Sequence, residues 1–138
     1  MGPVSVDPPR TVGSTLSLYA PPLAVMALIF ALSGTPDLSS GLGAWDTLLR
    51  KLAHITIFGV LWLTLARATR WRRPILSTAI ALLYAISDEL HQSFVAGRHG
   101  SPVDVAIDAA GIGLAVLAWI VVTRRRSGLT SDPAASAG

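Results

Sequence analysis

The stretch Tyr84–Gly111, YAISDELHQSFVAGRHGSPVDVAIDAAG, sets Asp88, Glu89, His91, Gln92, Arg98, Asp104 and Asp108 between two runs of apolar residues. The left-hand run starts at Pro74 and stays apolar to Ile86, and the right-hand run extends from Val103 to Val122. A helix needs about 20 mostly apolar residues to cross about 30 Å of hydrocarbon. The right-hand run meets that length, whereas the left-hand one spans only if its helix continues through the polar residues to about Val95. The fold therefore turns on whether these ionisable groups end two membrane helices or belong to a soluble loop.

The rest of the chain favours the membrane. Its 138 residues are 51% hydrophobic and 14% charged, and the mean hydropathy of +0.57 is too high for an ordinary soluble domain. Two more apolar segments run from about Leu18 to Ser33 and from Leu52 to Ala68. The reading is an all-α integral membrane four-helix bundle over residues 16–126, flanked by Pro-, Gly-, Ser- and Ala-rich tails at 1–15 and 127–138 expected to be disordered. In a competing reading, Arg10, the first apolar run and the small residues of ALSG form a cleavable signal peptide, with Pro21–Pro22 kinking or starting that helix.

Charge placement sets an orientation. In a four-pass arrangement Arg10, Arg67, Arg70, Arg72, Arg73, Arg124, Arg125 and Arg126 fall on one side, leaving Arg50, Lys51 and Arg98 on the other. The positive-inside rule makes the first side cytoplasmic, along with both termini. Trp45 and Trp71 are then expected at opposite interfaces. The chain has no cysteine, which excludes disulfides, thiolate metal sites and cysteine nucleophiles. No basic stripe with interleaved aromatics is present, so nucleic acid is not an expected partner.

With that topology, Lys51 and His54 open the second helix, Asp88, Glu89, His91 and Gln92 close the third, and Asp104 and Asp108 open the fourth. All then lie at the extracytoplasmic end. At about 100° per residue, Ser77, Tyr84, Asp88, His91 and Gln92 share a narrow arc, with Glu89 at its edge. Asp104 and Asp108 stand one turn apart on a stripe that continues through the small residues Gly111 and Ala115, which permit close approach of another helix. Lys51, His54 and Phe58 share a face.

A lone Asp, Lys or Arg near mid-bilayer costs about 2.5–3.5 kcal/mol on insertion scales, so these groups are expected to converge in one pocket. Four carboxylates face two fixed cations there, a deficit of two positive charges. Protonated histidines, a protonated carboxyl or a bound divalent cation each close it. Each residue also has a plainer role. Ser101, Pro102 and Asp104 can be the N-cap, first and third positions of a capped helix. Asp46 can cap the second helix. Arg50 and Lys51 can snorkel, His54 can be a core histidine, Asp88 and His91 can be only an intrahelical pair, and His99 can be solvated. Arg98, between two turn glycines, is placed either to pair with the carboxylates or to take a ligand's phosphate or carboxylate.

The blocks KLAHITIFGVLW (Lys51–Trp62) and SDELHQSFVAGRHGSPVDVAIDAAG (Ser87–Gly111) resemble those of the VanZ-like membrane proteins. The matching elements are Lys51, His54, Phe58, Asp88, Glu89, Gln92, Phe94, Arg98, Asp104, Asp108 and Gly111, over roughly Leu23–Ala118. The acid often found beside the lysine stands here five residues upstream, at Asp46. The resemblance implies a small multi-pass bacterial inner-membrane protein, of a family whose founding member is associated with low-level teicoplanin resistance.

Three functions fit these residues. The pocket can bind a lipid-linked cell-envelope molecule or a lipoglycopeptide, contributing to envelope homeostasis or glycopeptide resistance. It can be a membrane-embedded enzyme, metal-assisted or acid/base, in which Asp88, Glu89, Asp108 and a neutral His54 or His91 hold a hard divalent ion or move protons; Ser87 and Ser93 carry no nucleophile signature. It can be a proton- or ion-coupled transporter, although the cytoplasmic half offers no polar path.

Overall fold

A computed structural model of the chain describes residues 12–36 and 43–129. Among the described residues there are four helices and no strand: α1 (Val12–Ser33), α2 (Ala44–Ala68), α3 (Pro74–Gln92) and α4 (Pro102–Leu129). The all-α bundle is thus the observed fold. Its interior and surface are reversed relative to a water-soluble bundle. Leu23, Phe30, Leu63, Leu83, Leu114 and Val121 face outward, whereas Ser77, Asp88, Glu89, Gln92 and Asp108 are buried. An exterior this apolar is stable against lipid and would aggregate in water.

Three helices are long and apolar enough to cross a membrane, within Thr15–Ser33, Ala44–Ala68 and Pro102–Ser127. α3 is not among them. It ends at Gln92 rather than near Val95, because Ser93–Gly97 break into successive turns and Gly97 adopts a positive φ of 79°. Its polar last turns are enclosed by the other three helices, each of which packs against it.

Helix boundaries depart from the sequence reading elsewhere. α1 already runs from Val12 and α4 runs to Leu129, so the helices reach into both of the expected tails; the remaining tail residues, with Arg10, lie outside the described residues. Pro21 and Pro22 sit inside α1 without ending it. α2 begins at Ala44, which places Lys51 and His54 two turns inside the helix instead of at its start. Asp46 is likewise within the first turn of α2, and the N-cap is Gly43. Asp46 is therefore not the N-cap residue, and its negative charge lies in the first turn, near the positive end of the helix dipole.

α2 is the central helix, contacting each of the other three, and its partnership with α4 is the most extensive. The core joins Phe58, Leu61, Trp62, Leu65 and Ala66 of α2 to Ala81 and Ala85 of α3, Ile112 and Ala115 of α4, and Ile29 of α1. α2 and α4 cross at Gly59 and Gly111, where a Cβ on Gly111 would run into the Ile55 backbone. The small-residue stripe expected on the fourth helix therefore faces α2. α1 is tied in by Tyr84 Oη donating to the Met26 carbonyl (2.6 Å) and Arg67 Nη1 to the Ser17 carbonyl (2.9 Å).

At the end of α2 remote from Lys51, the turn into α3 holds Arg70 and Trp71 at φ of 53° and 61°. Trp71 stacks on Trp119 and meets Trp62 edge-on. These contacts offset the strain of a left-handed non-glycine backbone. Trp45 and Trp71 thus stand at opposite ends of α2.

Candidate functional site: a buried carboxylate cluster beneath a cationic pocket

The site lies where α2, α3 and α4 converge with the end of α1. Asp108 is fully buried two turns into α4, and its Oδ1 lies 2.9 Å from His54 Nδ1 on α2. Asp88 and Glu89 on α3 are 3% and 5% exposed. Gln92, one turn later, bridges them: its Nε2 donates to Asp88 Oδ2 (3.0 Å) and Glu89 Oε1 (3.3 Å). The Ser101 N–H donates to Glu89 Oε2 (2.9 Å), which pins the α3–α4 turn to the cluster. Gly100 makes this contact possible, since a side chain there would press on the Glu89 carbonyl.

Donors do not satisfy the cluster. Asp88 Oδ1 and Asp108 Oδ2 are buried with no hydrogen-bond partner. One atom from each of His54, Asp88, Glu89 and Asp108 can be chosen so that all lie within 4.8 Å of one another, a span compatible with a shared metal ion.

The cations form an upper layer. Lys51 Nζ lies 3.7 Å from Asp104 Oδ1, both partly exposed. Arg98 Nη1 donates to the Ser33 carbonyl (3.1 Å), while its Nε is buried without a partner. A cavity of about 390 Å³ is lined by Arg50, Lys51, His54, Glu89, Gln92 and Arg98. A second, about 250 Å³, adds Ile29, Leu32 and Ile57 to Arg50, His54 and Arg98. The two share three cationic or protonatable side chains; the walls of the first are polar and apolar in equal measure, and those of the second are mainly apolar.

All nine sequence-nominated residues lie at this end, with two adjustments of role. His91 does not join the carboxylates; its ring stacks on Phe30 of α1, centroids 4.2 Å apart. Glu89, placed at the edge of the arc, is as deeply buried as Asp88, so the inward face of α3 is rotated toward it. Asp104 stands in a capped first turn, where Ser101 Oγ accepts from the Val103 N–H (3.2 Å), and it also pairs with Lys51. His99 is exposed at the pocket's lip. Ser87 and Ser93 spend their hydroxyls on the Tyr84 and Leu90 carbonyls.

Sequence reasoning missed Ser33 and undervalued Arg50. Ser33 is buried, with its Oγ 3.5 Å from Gln92 Nε2 and its carbonyl holding Arg98. Its signal was a lone hydroxyl closing an apolar run, in the same ALSG segment that also fits a cleavage site.

Comparison with known protein families matches residues 9–123 to VanZ/LLP1. The chain belongs to the VanZ/LLP1 family. The match takes in all four helices through Thr123 and every residue of the cluster. No curated protein and no solved structure matches the chain. The VanZ/LLP1 assignment fits the membrane character of the bundle, and the chemistry of the site is argued from its own residues.

Proposed function

We propose that this VanZ/LLP1 chain resides in a bacterial plasma membrane with both termini cytoplasmic. Its pocket opens on the extracytoplasmic side, where it binds the anionic head of a lipid-linked cell-envelope molecule or a lipoglycopeptide antibiotic. Such binding would serve envelope homeostasis or glycopeptide resistance. The orientation is supported by Arg67, Arg70, Arg72, Arg73 and Arg124–Arg126, which lie at the end opposite the pocket.

One observation carries the binding reading: a cavity of mixed polar and apolar lining and a mainly apolar one share Arg50, His54 and Arg98. An amphipathic ligand needs this junction. Arg98 and Lys51 would hold a phosphate or carboxylate by charge-assisted hydrogen bonds. The Ile29–Leu32–Ile57 wall would take the start of an acyl or isoprenoid chain. Lys51 is kept near the site by Asp104 and Arg98 by the Ser33 carbonyl, so both cations are preorganised. Binding requires no nucleophile, in keeping with the engagement of Ser87 and Ser93.

The test is titration of the detergent-purified chain with polyprenyl phosphate, polyprenyl pyrophosphate and a lipoglycopeptide. Saturable binding that weakens at least tenfold in Arg98→Ala is expected. Absence of saturation with every ligand, or an Arg98→Ala variant as tight as the native chain, overturns the reading. Release of inorganic phosphate would replace it with the enzyme reading.

A further inference from the structure

We propose that His54, Asp88, Glu89 and Asp108 form a binding site for one divalent first-row transition ion, of the manganese or zinc kind, at the floor of the pocket. The site stands on its own geometry and does not depend on the lipid reading.

Spacing is the first argument. A divalent ion held at about 2.0–2.6 Å by oxygen and nitrogen donors separates opposing donors by about 4–5 Å. The four donor atoms here fall within 4.8 Å of one another, so an ion fits without moving a helix.

Unsatisfied oxygens are the second. Asp88 and Asp108 are more than nine-tenths buried, and each keeps one oxygen, Oδ1 and Oδ2, without any hydrogen-bond donor. A buried carboxylate oxygen left bare is costly, and a cation removes that cost for both at once. Within the described ion pairs Lys51 goes to Asp104, and only the His54 imidazole reaches one of these three carboxylates. Even a protonated His54 would set one positive charge against three carboxylates, and when an ion binds, the imidazole gives up that proton to ligate it.

The surroundings resemble the outer shell of a metal site. Gln92 holds Asp88 and Glu89 through its amide, and the Ser101 N–H holds the other Glu89 oxygen. Such contacts orient first-layer ligands. The donor set selects the metal class. Carboxylates suit magnesium, calcium and manganese, imidazole suits zinc and iron, and a chain without cysteine offers no thiolate. His54 and Glu89 also line the larger cavity, so an ion there faces the space in which a ligand phosphate would complete its coordination.

The experiment uses the full chain in detergent, stripped with chelator and reloaded with manganese or zinc chloride alone. One equivalent of metal per chain is expected by elemental mass spectrometry. Affinity should fall at least tenfold in Asp108→Asn and in Asp88→Asn, and stay unchanged in Arg124→Gln at the far end. Because a cluster variant can fail to fold, pulsed electron paramagnetic resonance on the manganese-loaded native chain provides an independent readout, with coupling to one imidazole nitrogen expected. Less than a tenth of an equivalent bound at micromolar free ion, unaltered affinity in both Asp variants, or no nitrogen coupling overturns the site. Lipid binding by a chain that takes up no metal would overturn this inference alone; metal uptake without lipid binding would overturn only the pocket reading.

Discussion

His54 Nδ1 and Asp108 Oδ1, 2.9 Å apart, join the second helix to the fourth inside the bundle, 54 residues apart in sequence. The pair fixes the height at which the most extensive interface, α2 against α4, is aligned. It also places an ionisable pair under the pocket rather than at its rim.

Removing the imidazole should therefore be structurally expensive. His54→Ala leaves Asp108 fully buried with neither oxygen partnered, at a cost of roughly 3 kcal/mol or more. Thermal unfolding in detergent, followed by tryptophan fluorescence, should show a clear drop in Tm. A Tm within error of the native chain would mean that the pair contributes nothing to the fold.

Gly111 and Gly113 offer a matched comparison on one helix. A Cβ at Gly111 would collide with the Ile55 backbone, whereas one at Gly113 meets open space. Gly111→Ala should push α2 from α4 and destabilise by about 1–3 kcal/mol. Gly113→Ala should be neutral or stabilising by up to about 1 kcal/mol from helix propensity. Equal effects would contradict the close crossing.

Trp71→Ala removes one stacked and one edge-on partner from the Trp62–Trp71–Trp119 cluster, from a backbone that holds φ at 61°. A loss of roughly 1–3 kcal/mol is expected. Chemical denaturation monitored by circular dichroism measures it, and an unchanged midpoint would show that the turn holds its shape without the rings.

Gln92→Leu is close in volume but deletes the amide that donates to both Asp88 and Glu89. The expected penalty is about 1–3 kcal/mol from unsatisfied buried oxygens, larger than for Gln92→Glu only if the added acid is protonated. Thermal melts of the two variants at pH 5 and pH 8 test this: both should be penalised more at pH 8, where the oxygens that lost their donor carry charge, and Gln92→Glu should lose the more because it adds a third acid. A Gln92→Leu penalty that is the same at both pH values would remove the carboxylates as the reason for the glutamine.

Orientation can be read directly because the chain lacks cysteine. A single cysteine replacing His99, exposed beside the pocket, should react with a membrane-impermeant maleimide on intact cells. One replacing Arg124 should react only after permeabilisation. The reverse pattern would invert the proposed topology.

Much of this was written in local sequence. Apolar runs near the length of a bilayer, a glycine-bounded turn and a one-sided distribution of arginines specify helices, their number and their antiparallel order, because backbone hydrogen bonds in lipid must close within each segment. The grouping of Lys51, His54, Asp88, Glu89, Asp104 and Asp108 followed from that order, as antiparallel neighbours bring those levels together.

Tertiary packing decided the rest. Periodicity gives each helix a polar face but not its rotation to within one residue, so it leaves undecided that Glu89 faces inward and that His91 meets Phe30 of α1. The start of α2 at Ala44 escaped notice because an amphipathic first turn with Asp46, Arg50 and Lys51 does not look like membrane helix. Which oxygens are bare depends on how closely the helices approach, as α2 and α4 do at Gly59 and Gly111, and that Ser33 holds Arg98 depends on where α1 docks. Sequence determines which groups must leave water; only the packed bundle determines which of them meet.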